Sequence, residues 1–377
     1  MKKINPITKK LEMLYLDDHI KELYDHPKLK NLFLEVTSRC NARCEHCGSS
    51  CGNKVVTDEI EAEYLKKALK EIADKYKASD ILLNVTGGEP LLRKDLFELM
   101  EYATNLGFGW GITTNGMLID EKMAEKLEKY KLDTISISID GLKETHESFR
   151  KVPNSFEKII NAIKLLQKNK YLQCLQITTV ANKKNFHELE DLYKLMQDLK
   201  IKDWRVISCD PIGRAEKNDS VLLDNNQMKQ LLDFIIEKNN EGKMKVTYGC
   251  AHYLGSQYEM ETRPYYFMCS TGLTVASILS NGDIYACPNV ERRKELIQGN
   301  IRKDSFVDVW ENKFEQFRHK RITTNSKCQK CPDYKFCRGD SFHTWDFENN
   351  EPKFCIKNVL KGDETNGIRW KGIWIVL

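Results

Sequence analysis

Residues 31–51 read NLFLEVTSRCNARCEHCGSSC, and residues 81–90 read ILLNVTGGEP. In each stretch a short apolar run ends abruptly: the first gives way to Cys40-x3-Cys44-x2-Cys47, the second to Thr86-Gly87-Gly88-Glu89-Pro90. A run of four to eight aliphatic residues closed by turn formers reads as a buried strand. The pattern recurs at 108–113 (FGWGIT), 133–139 (DTISISI), 172–180 (LQCLQITTV) and 203–208 (DWRVIS). Helical patterns lie between these runs. Ile60, Tyr64, Leu65, Ala68, Leu69 and Ile72 form a stripe of period 3.6 with Thr57 placed as its N-cap. Phe156, Ile159, Ile160, Ile163 and Leu166 form another behind Ser155, and Asn185 with Glu188 has the spacing of a capping box. Strand–helix alternation repeated six times predicts an α/β domain over residues 30–240. Its sheet is expected to be parallel with right-handed crossovers, either open or curled into part of a barrel.

Working outward, residues 1–29 read as a helical lead-in and 361–377 as a short apolar tail. After residue 240 the rhythm changes. A Gly-bearing hairpin, LTVASILSNGDIYACP at 273–288, precedes closely spaced Cys, Pro and aromatic residues, so 245–360 is expected to be a smaller, loop-rich α+β domain. Few regular elements in such a segment point to metal staples. Trp110, Trp204 and Tyr265-Tyr266-Phe267 read as packing residues.

Composition narrows the class. Of 377 residues, 59 are basic and 55 acidic; a net charge of +4 is too balanced for an electrostatic nucleic-acid footprint. No apolar run approaches the ~20 residues that cross a bilayer. The basic start MKKINPITKK is not followed by the apolar stretch of a signal peptide. These features predict a cytoplasmic protein with neither nucleic acid nor membrane as partner.

The thirteen cysteines depart from this ordinary picture: four fall between 40 and 51 and eight between 209 and 355. A chain this long builds its own core, and clustered thiols in a reducing compartment read as metal ligands. Cys40, Cys44 and Cys47 suit three corners of a cubane iron–sulfur cluster, leaving one iron open; a structural zinc completed by Cys51 or His46 uses the same residues. Gly87 and Gly88 end the next strand on the edge where α/β folds bind ligands, and paired glycines there let main chain approach a small molecule.

On these residues the sequence closely resembles the radical S-adenosylmethionine (SAM) superfamily, over about 180 residues from 32 to 215. The resemblance implies a partial (β/α)6 TIM-like barrel. It also implies that Cys40, Cys44 and Cys47 hold a [4Fe–4S] cluster whose open iron chelates SAM, with main chain of Gly87, Gly88 and Glu89 on the methionyl amine. Reductive cleavage of SAM would give methionine and a 5′-deoxyadenosyl radical that abstracts a substrate hydrogen. Thr114 and Asn115 end the third strand, and Ser136, Ser138 and Asp140 share one face of the fourth. By resemblance Ser136, Ser138 and Asp140 bind the SAM ribose and carboxylate, Arg150 pairs with the carboxylate, Val180 lies near adenine, and Thr114 and Asn115 are further cofactor-binding candidates.

The C-terminal cysteines resemble the SPASM extension of many such enzymes. By that resemblance Cys328, Cys331, Cys337 and Cys355 ligate one auxiliary [4Fe–4S] cluster, and Cys269, Cys287 and Cys250 ligate a second. The family pattern expects another Cys four positions after Cys337, and Ser341 stands there, with Asp340 and His343 nearby as oxygen or nitrogen ligands. One or two auxiliary clusters are therefore expected. A zinc module suits the same CxxC spacing.

Cys51 and Cys209 are the remaining thiols near the expected barrel mouth, each a candidate hydrogen donor or a small buried residue. The resemblance implies an oxidoreductase or maturase acting on a ribosomally made peptide or a protein. A flavodoxin or ferredoxin is the expected electron source. Alternatives are an anaerobic sulfatase-maturating (formylglycine-forming) enzyme and a tetrapyrrole-modifying enzyme. A zinc or iron–sulfur binding protein without SAM turnover is the non-enzyme reading.

Overall fold

A computed structural model describes residues 5–52 and 59–360. Thr57 and the apolar tail at 361–377 lie outside the described residues. The six expected strands form as β1 (Asn31–Glu35), β2 (Leu82–Thr86), β3 (Gly109–Thr114), β4 (Thr134–Ser138), β5 (Cys174–Ala181) and β6 (Asp203–Ser208). Neighbours pair parallel in chain order, with Leu83 beside Leu32 and Arg205 beside Thr178. Parallel pairing demands crossovers, and helices supply them: α2 (Ala62–Lys75), α3 (Leu96–Asn105), α4 (Glu121–Lys129), α5 (Lys143–Arg150), α6 (Ser155–Leu166) and α7 (Leu189–Asp198). A further helix, α1 (Pro6–Asp25), precedes β1.

Alternation sorts the two faces of the sheet. Leu83 and Val85, Ile135 and Ile137, and Trp204 and Val206 are buried toward the helices. They meet Leu65, Leu69 and Ile72 of α2 and Ile159, Ile163 and Leu166 of α6 in one continuous core. The opposite, inner face keeps half-buried polar residues, among them Ser136 and Ser138. Trp110 and Trp204 are fully buried, each with its indole N–H satisfied, by the Tyr130 carbonyl and the Thr179 hydroxyl.

The sheet continues beyond six strands at both edges. After α8 (Asn225–Glu241), β7 (Lys245–Tyr248) joins β6 in parallel, while β8 (Val275–Ile278) joins β1. β9 (Asp283–Tyr285) and β10 (Gly299–Asn300) extend that edge antiparallel, giving the order β10-β9-β8-β1-β2-β3-β4-β5-β6-β7. The 273–288 hairpin thus forms as β8–β9, turning at Gly282 with φ +89°. α9 (Phe306–Asn312) packs on α2, so the Cys-rich region shares the barrel's core. Among the described residues no helix is long and apolar enough to cross a membrane.

Two local expectations come out differently. Asn154, in the left-handed region at φ 58°, precedes α6 as its N-cap, and Ser155 is the first helical residue. The Asn185–Glu188 spacing makes no capping box, because both side chains bond elsewhere. Asn185 Nδ2 donates to the Asp140 and Val180 carbonyls, and the Glu188 carboxylate accepts from the Leu142 N–H and the Thr145 hydroxyl. The capping box forms instead at Asp224 and Gln227, at the start of α8.

Candidate active site

The loop after β1 carries Cys40, Cys44 and Cys47, and three neighbouring loops grip its main chain. From the β2 end, the Gly88 N–H donates to the Thr37 carbonyl and the Glu89 N–H to the Arg39 carbonyl, both at 2.8 Å. Only glycine fits there: a Cβ on Gly88 would stand 2.1 Å from the Arg39 oxygen, and one on Gly87, at φ +142°, 2.3 Å from the Thr37 oxygen. From α5, the Phe149 carbonyl accepts from the Glu45 N–H at 3.0 Å. From the β6 end, Arg214 donates through Nε to the Cys44 carbonyl at 2.7 Å and through Nη1 to the Cys51 carbonyl at 2.9 Å.

The other SAM-site candidates divide into open and occupied groups. Glu89 is fully buried, and its carboxylate accepts from the Leu91 N–H, the Thr114 hydroxyl and the Asn115 N–H. Asn115 in turn donates to Asn41 Oδ1 at 2.7 Å, inside the cysteine loop. Asp140 is also fully buried; Oδ1 accepts from the Val180 N–H at 2.7 Å and Oδ2 from Arg150. Burial pushes the Asp140 carboxyl up, but the Arg150 guanidinium outweighs it and holds the group below the usual carboxylate range. Ser136 meets the Thr178 hydroxyl at 2.7 Å, and Ser138 is half-buried on the same inner face. Ser38 Oγ and His46 Nδ1, both in the loop after β1, are buried without partners.

Among the described residues, the only three ligand atoms within 4.8 Å of one another belong to Asp210, His252 and His343. One zinc with ~2.3 Å bonds would draw tetrahedral sulfurs to about 3.8 Å. No set of three cysteine sulfurs among the described residues stands that close together. Burial pushes the Cys40 thiol up to about 11, while a hydrogen bond from Cys51 brings Cys47 down to about 6. Cys51 is therefore a direct neighbour of the triad. Cys209 is buried among Phe149, Val180 and Ala215, with Asp210 and Asp140 close enough to raise its thiol further.

The C-terminal cysteines separate into three places. Cys328, Cys337 and Cys355 each have another thiol of the set close by: burial first, then Cys355 and Cys331, pushes Cys328 up to about 11. Cys287 has Cys269 beside it, and Cys269 Sγ lies 3.4 Å from the Thr271 hydroxyl. Cys250 sits with Ser208, Tyr248, Asp210 and His252. Ser341 bonds to His343 Nδ1 at 2.7 Å and Thr344 Oγ1 at 3.2 Å.

Two features escaped the sequence reading. Arg205 lies on the inner face in a row with Ser138 and Thr178, set by the β4–β5–β6 register. Its Nε donates to Thr178 Oγ1 at 3.2 Å, and no carboxylate among the described residues pairs with it. A Cβ on Gly249 would stand 2.4 Å from Arg205 Cγ, so that glycine makes room for the side chain. The second feature is the Asp210–His252–His343 group, whose members are too far apart in sequence to form a spacing motif.

The pattern of the radical SAM superfamily matches residues 34–196, and that of the SPASM iron–sulfur cluster-binding domain matches 269–332. The AdoMet-dependent heme synthase of Methanosarcina barkeri is 30% identical over 343 residues, covering 85% of this chain and 95% of that protein. The mycofactocin maturase MftC of Mycolicibacterium smegmatis is 28% identical over 309 residues, covering 81% and 76%. In fold, Streptococcus suis SuiB bound to its precursor peptide SuiA superposes with a TM-score of 0.69 at 20% identity, covering 91% of this chain and 79% of that one. anSMEcpe with bound AdoMet and a peptide gives 0.68 at 23% identity, covering 90% and 95%.

Proposed function

The chain belongs to the radical SAM superfamily with a SPASM extension, and from that premise we propose that it removes hydrogen from carbon on a carboxylate-bearing tetrapyrrole. It is an enzyme whose cofactors are a [4Fe–4S] cluster that takes SAM and one or two auxiliary [4Fe–4S] clusters. When bound and reduced, that cofactor pair supplies the carbon-centred radical that abstracts hydrogen.

The chain's own residues have the following roles in this reading. Cys40, Cys44 and Cys47 hold the cluster, and the Gly87–Gly88 main chain lines the methionyl end. Glu89 and Asp140 act as positioning residues: one sets Thr114 and Asn115, the other sets Val180 and Arg150. Ser136 and Ser138 offer hydroxyls toward the ribose and carboxylate. Cys328, Cys331, Cys337 and Cys355 hold an auxiliary cluster, and a flavodoxin or ferredoxin delivers electrons. In the peptide reading alone, Cys51 and Cys209 are the candidate hydrogen donors to a substrate radical.

The observation that carries the substrate class is Arg205. A guanidinium on the inner barrel face with no carboxylate partner among the described residues is costly to leave unpaired, and it suits a carboxylate arriving with substrate. The heme synthase match, which spans nearly that whole protein, supports a carboxylate-bearing tetrapyrrole in this role. A peptide substrate is the second reading, favoured by the match to the mycofactocin maturase.

The test is anaerobic incubation of the reconstituted protein with SAM, dithionite and iron coproporphyrin III. The reading expects porphyrin-dependent 5′-deoxyadenosine that carries deuterium when the porphyrin side chains are deuterated. An unchanged porphyrin, with SAM cleavage driven by a peptide instead, would replace it with the second reading.

A further inference from the structure

At the barrel mouth three side chains from distant parts of the chain converge. Asp210 follows β6, His252 follows β7, and His343 lies in the short turn after the Cys328–Cys337 segment. Asp210 Oδ2 is 3.1 Å from His252 Nε2 and 3.0 Å from His343 Nε2, and Oδ1 is also 3.1 Å from His252 Nε2. Both imidazoles thus turn the same nitrogen inward onto one carboxylate.

The outer nitrogens are tied. His252 Nδ1 bonds to Asp340 Oδ2 at 2.9 Å, and Asp340 is itself fixed by the Tyr253 N–H on Oδ1 at 2.7 Å. His343 Nδ1 bonds to Ser341 Oγ at 2.7 Å. A partner on the far ring nitrogen that fixes tautomer and orientation is the usual support of a metal-bound histidine. His252 is fully buried and Asp340 nearly so, while the side chains of Asp210 and His343 keep 11% and 12% exposure.

The distances bear on what occupies the centre. Two ligand atoms bonded to one ion at ~2.1 Å and at right angles stand about 3.0 Å apart. A charge-assisted N–H···O bond between an imidazolium and a carboxylate runs shorter, at about 2.7–2.9 Å. The Nε2 contacts on Asp210 match the first separation, whereas the outward bond of His252 Nδ1 to the Asp340 carboxylate matches the second. Two imidazoles and one carboxylate, with coordination positions left over, suit a divalent first-row transition metal.

We propose that Asp210, His252 and His343 form a mononuclear site for such an ion, separate from the iron–sulfur cysteines. Ser341 and Asp340 are its positioning residues. On this assignment Ser341 serves the site by orienting His343 rather than by ligating iron. The ion would join the β6 and β7 ends of the barrel to the Cys-rich region.

Manganese(II) provides a probe that suits nitrogen and oxygen donors and is read without interference from cluster absorbance. The reconstituted holoprotein, dialysed against a mild chelator, is titrated with Mn(II), and the six-line EPR signal of the free ion is followed. The expected result is one tightly bound Mn(II) per chain, with affinity reduced at least tenfold in Asp210→Asn and His343→Ala. Ser341→Ala, which leaves all three ligands in place, should weaken binding by about 10-fold or more. Absence of stoichiometric binding to the wild type, whose cluster absorbance confirms it is intact, would overturn the site and leave an ion-paired network. Binding that is the same in all three variants would overturn it as well.

Discussion

Asp140 and Arg150 meet at a single oxygen: Oδ2 accepts from Nε at 2.7 Å and from Nη2 at 2.6 Å, with Asp140 wholly buried. The pair ties the end of β4 to the end of α5, whose main chain holds the cysteine loop. Removing one partner strands the other charge in the interior. Arg150→Met is expected to cost about 3–5 kcal/mol, while pairing it with Asp140→Asn recovers part of that loss, because neither charge is then left alone. Denaturant unfolding of both variants checks the ordering; equal destabilisation of single and double variants would contradict it.

His146 supplies a pH dependence. The Asp140 N–H donates to His146 Nδ1 at 3.1 Å, which requires that nitrogen to be unprotonated, and burial lowers the ring's pKa to about 4. An unfolded histidine titrates near 6.5. Because the folded value is the lower one, the unfolded state takes up the proton first. The stability this neutral ring confers is intact above about 6.5 and declines as pH falls toward 4. The expected loss between pH 7.5 and 5.5 is about 1.4 kcal/mol from this group. His146→Gln should flatten the profile over that interval; an unchanged slope would refute the assignment.

Gly88 carries a structural demand that no side chain meets, since its Cβ would sit 2.1 Å from the Arg39 oxygen and 3.0 Å from Cys40 Cβ. Gly88→Ala should push the cysteine loop off the β2 end. The expected readout is loss of about four iron atoms per chain, the content of one cubane, with the C-terminal iron retained. Full iron content in this variant would show that the loop tolerates the displacement.

Legibility in the sequence followed the range of the interactions involved. β1 to β6 were readable because alternation and turn formers are local, and the candidate triad Cys40, Cys44 and Cys47 stood out because two or three residues separate its members. β7 was not, since it is four residues long and joins the sheet only through pairing with β6, and the parallel pairing of the hairpin strand β8 with β1 left no local sign. Asn185 and Glu188 had helix-cap spacing, yet tertiary partners on Asp140, Val180, Leu142 and Thr145 claimed both side chains. Arg205 looked like an ordinary strand residue until the register put it beside Thr178 on the inner face. His252 and His343 meet Asp210 across 42 and 133 residues, a separation that leaves no local signal.

Arg205 should separate substrate binding from SAM binding. If it anchors a substrate carboxylate, Arg205→Ala loses charge-assisted bonds worth about 1.5–3 kcal/mol, and KM for the porphyrin should rise about 10- to 100-fold. Affinity for SAM should stay the same, measured by equilibrium dialysis. Gly249→Ala should reproduce the KM effect by crowding the Arg205 stem. A fall in SAM affinity with an unchanged KM would move Arg205 from the substrate to the cofactor.

Iron counting decides how many clusters the chain holds. On the proposed assignment the triad at Cys40, Cys44 and Cys47 and the four thiols at Cys328, Cys331, Cys337 and Cys355 would hold two cubanes, about eight iron atoms. Cys269 and Cys287 neighbour one another, while Cys250 sits with Ser208 and Asp210, and Ser341 gives its hydroxyl to His343. That leaves the third set short of thiolates. Anaerobic reconstitution is therefore expected to give about eight iron atoms per chain. Cys328→Ala should lose about four of them and Cys269→Ala essentially none. A wild-type count near twelve that falls by about four in Cys269→Ala would instead establish a third cluster, with Cys250 or an oxygen ligand completing it.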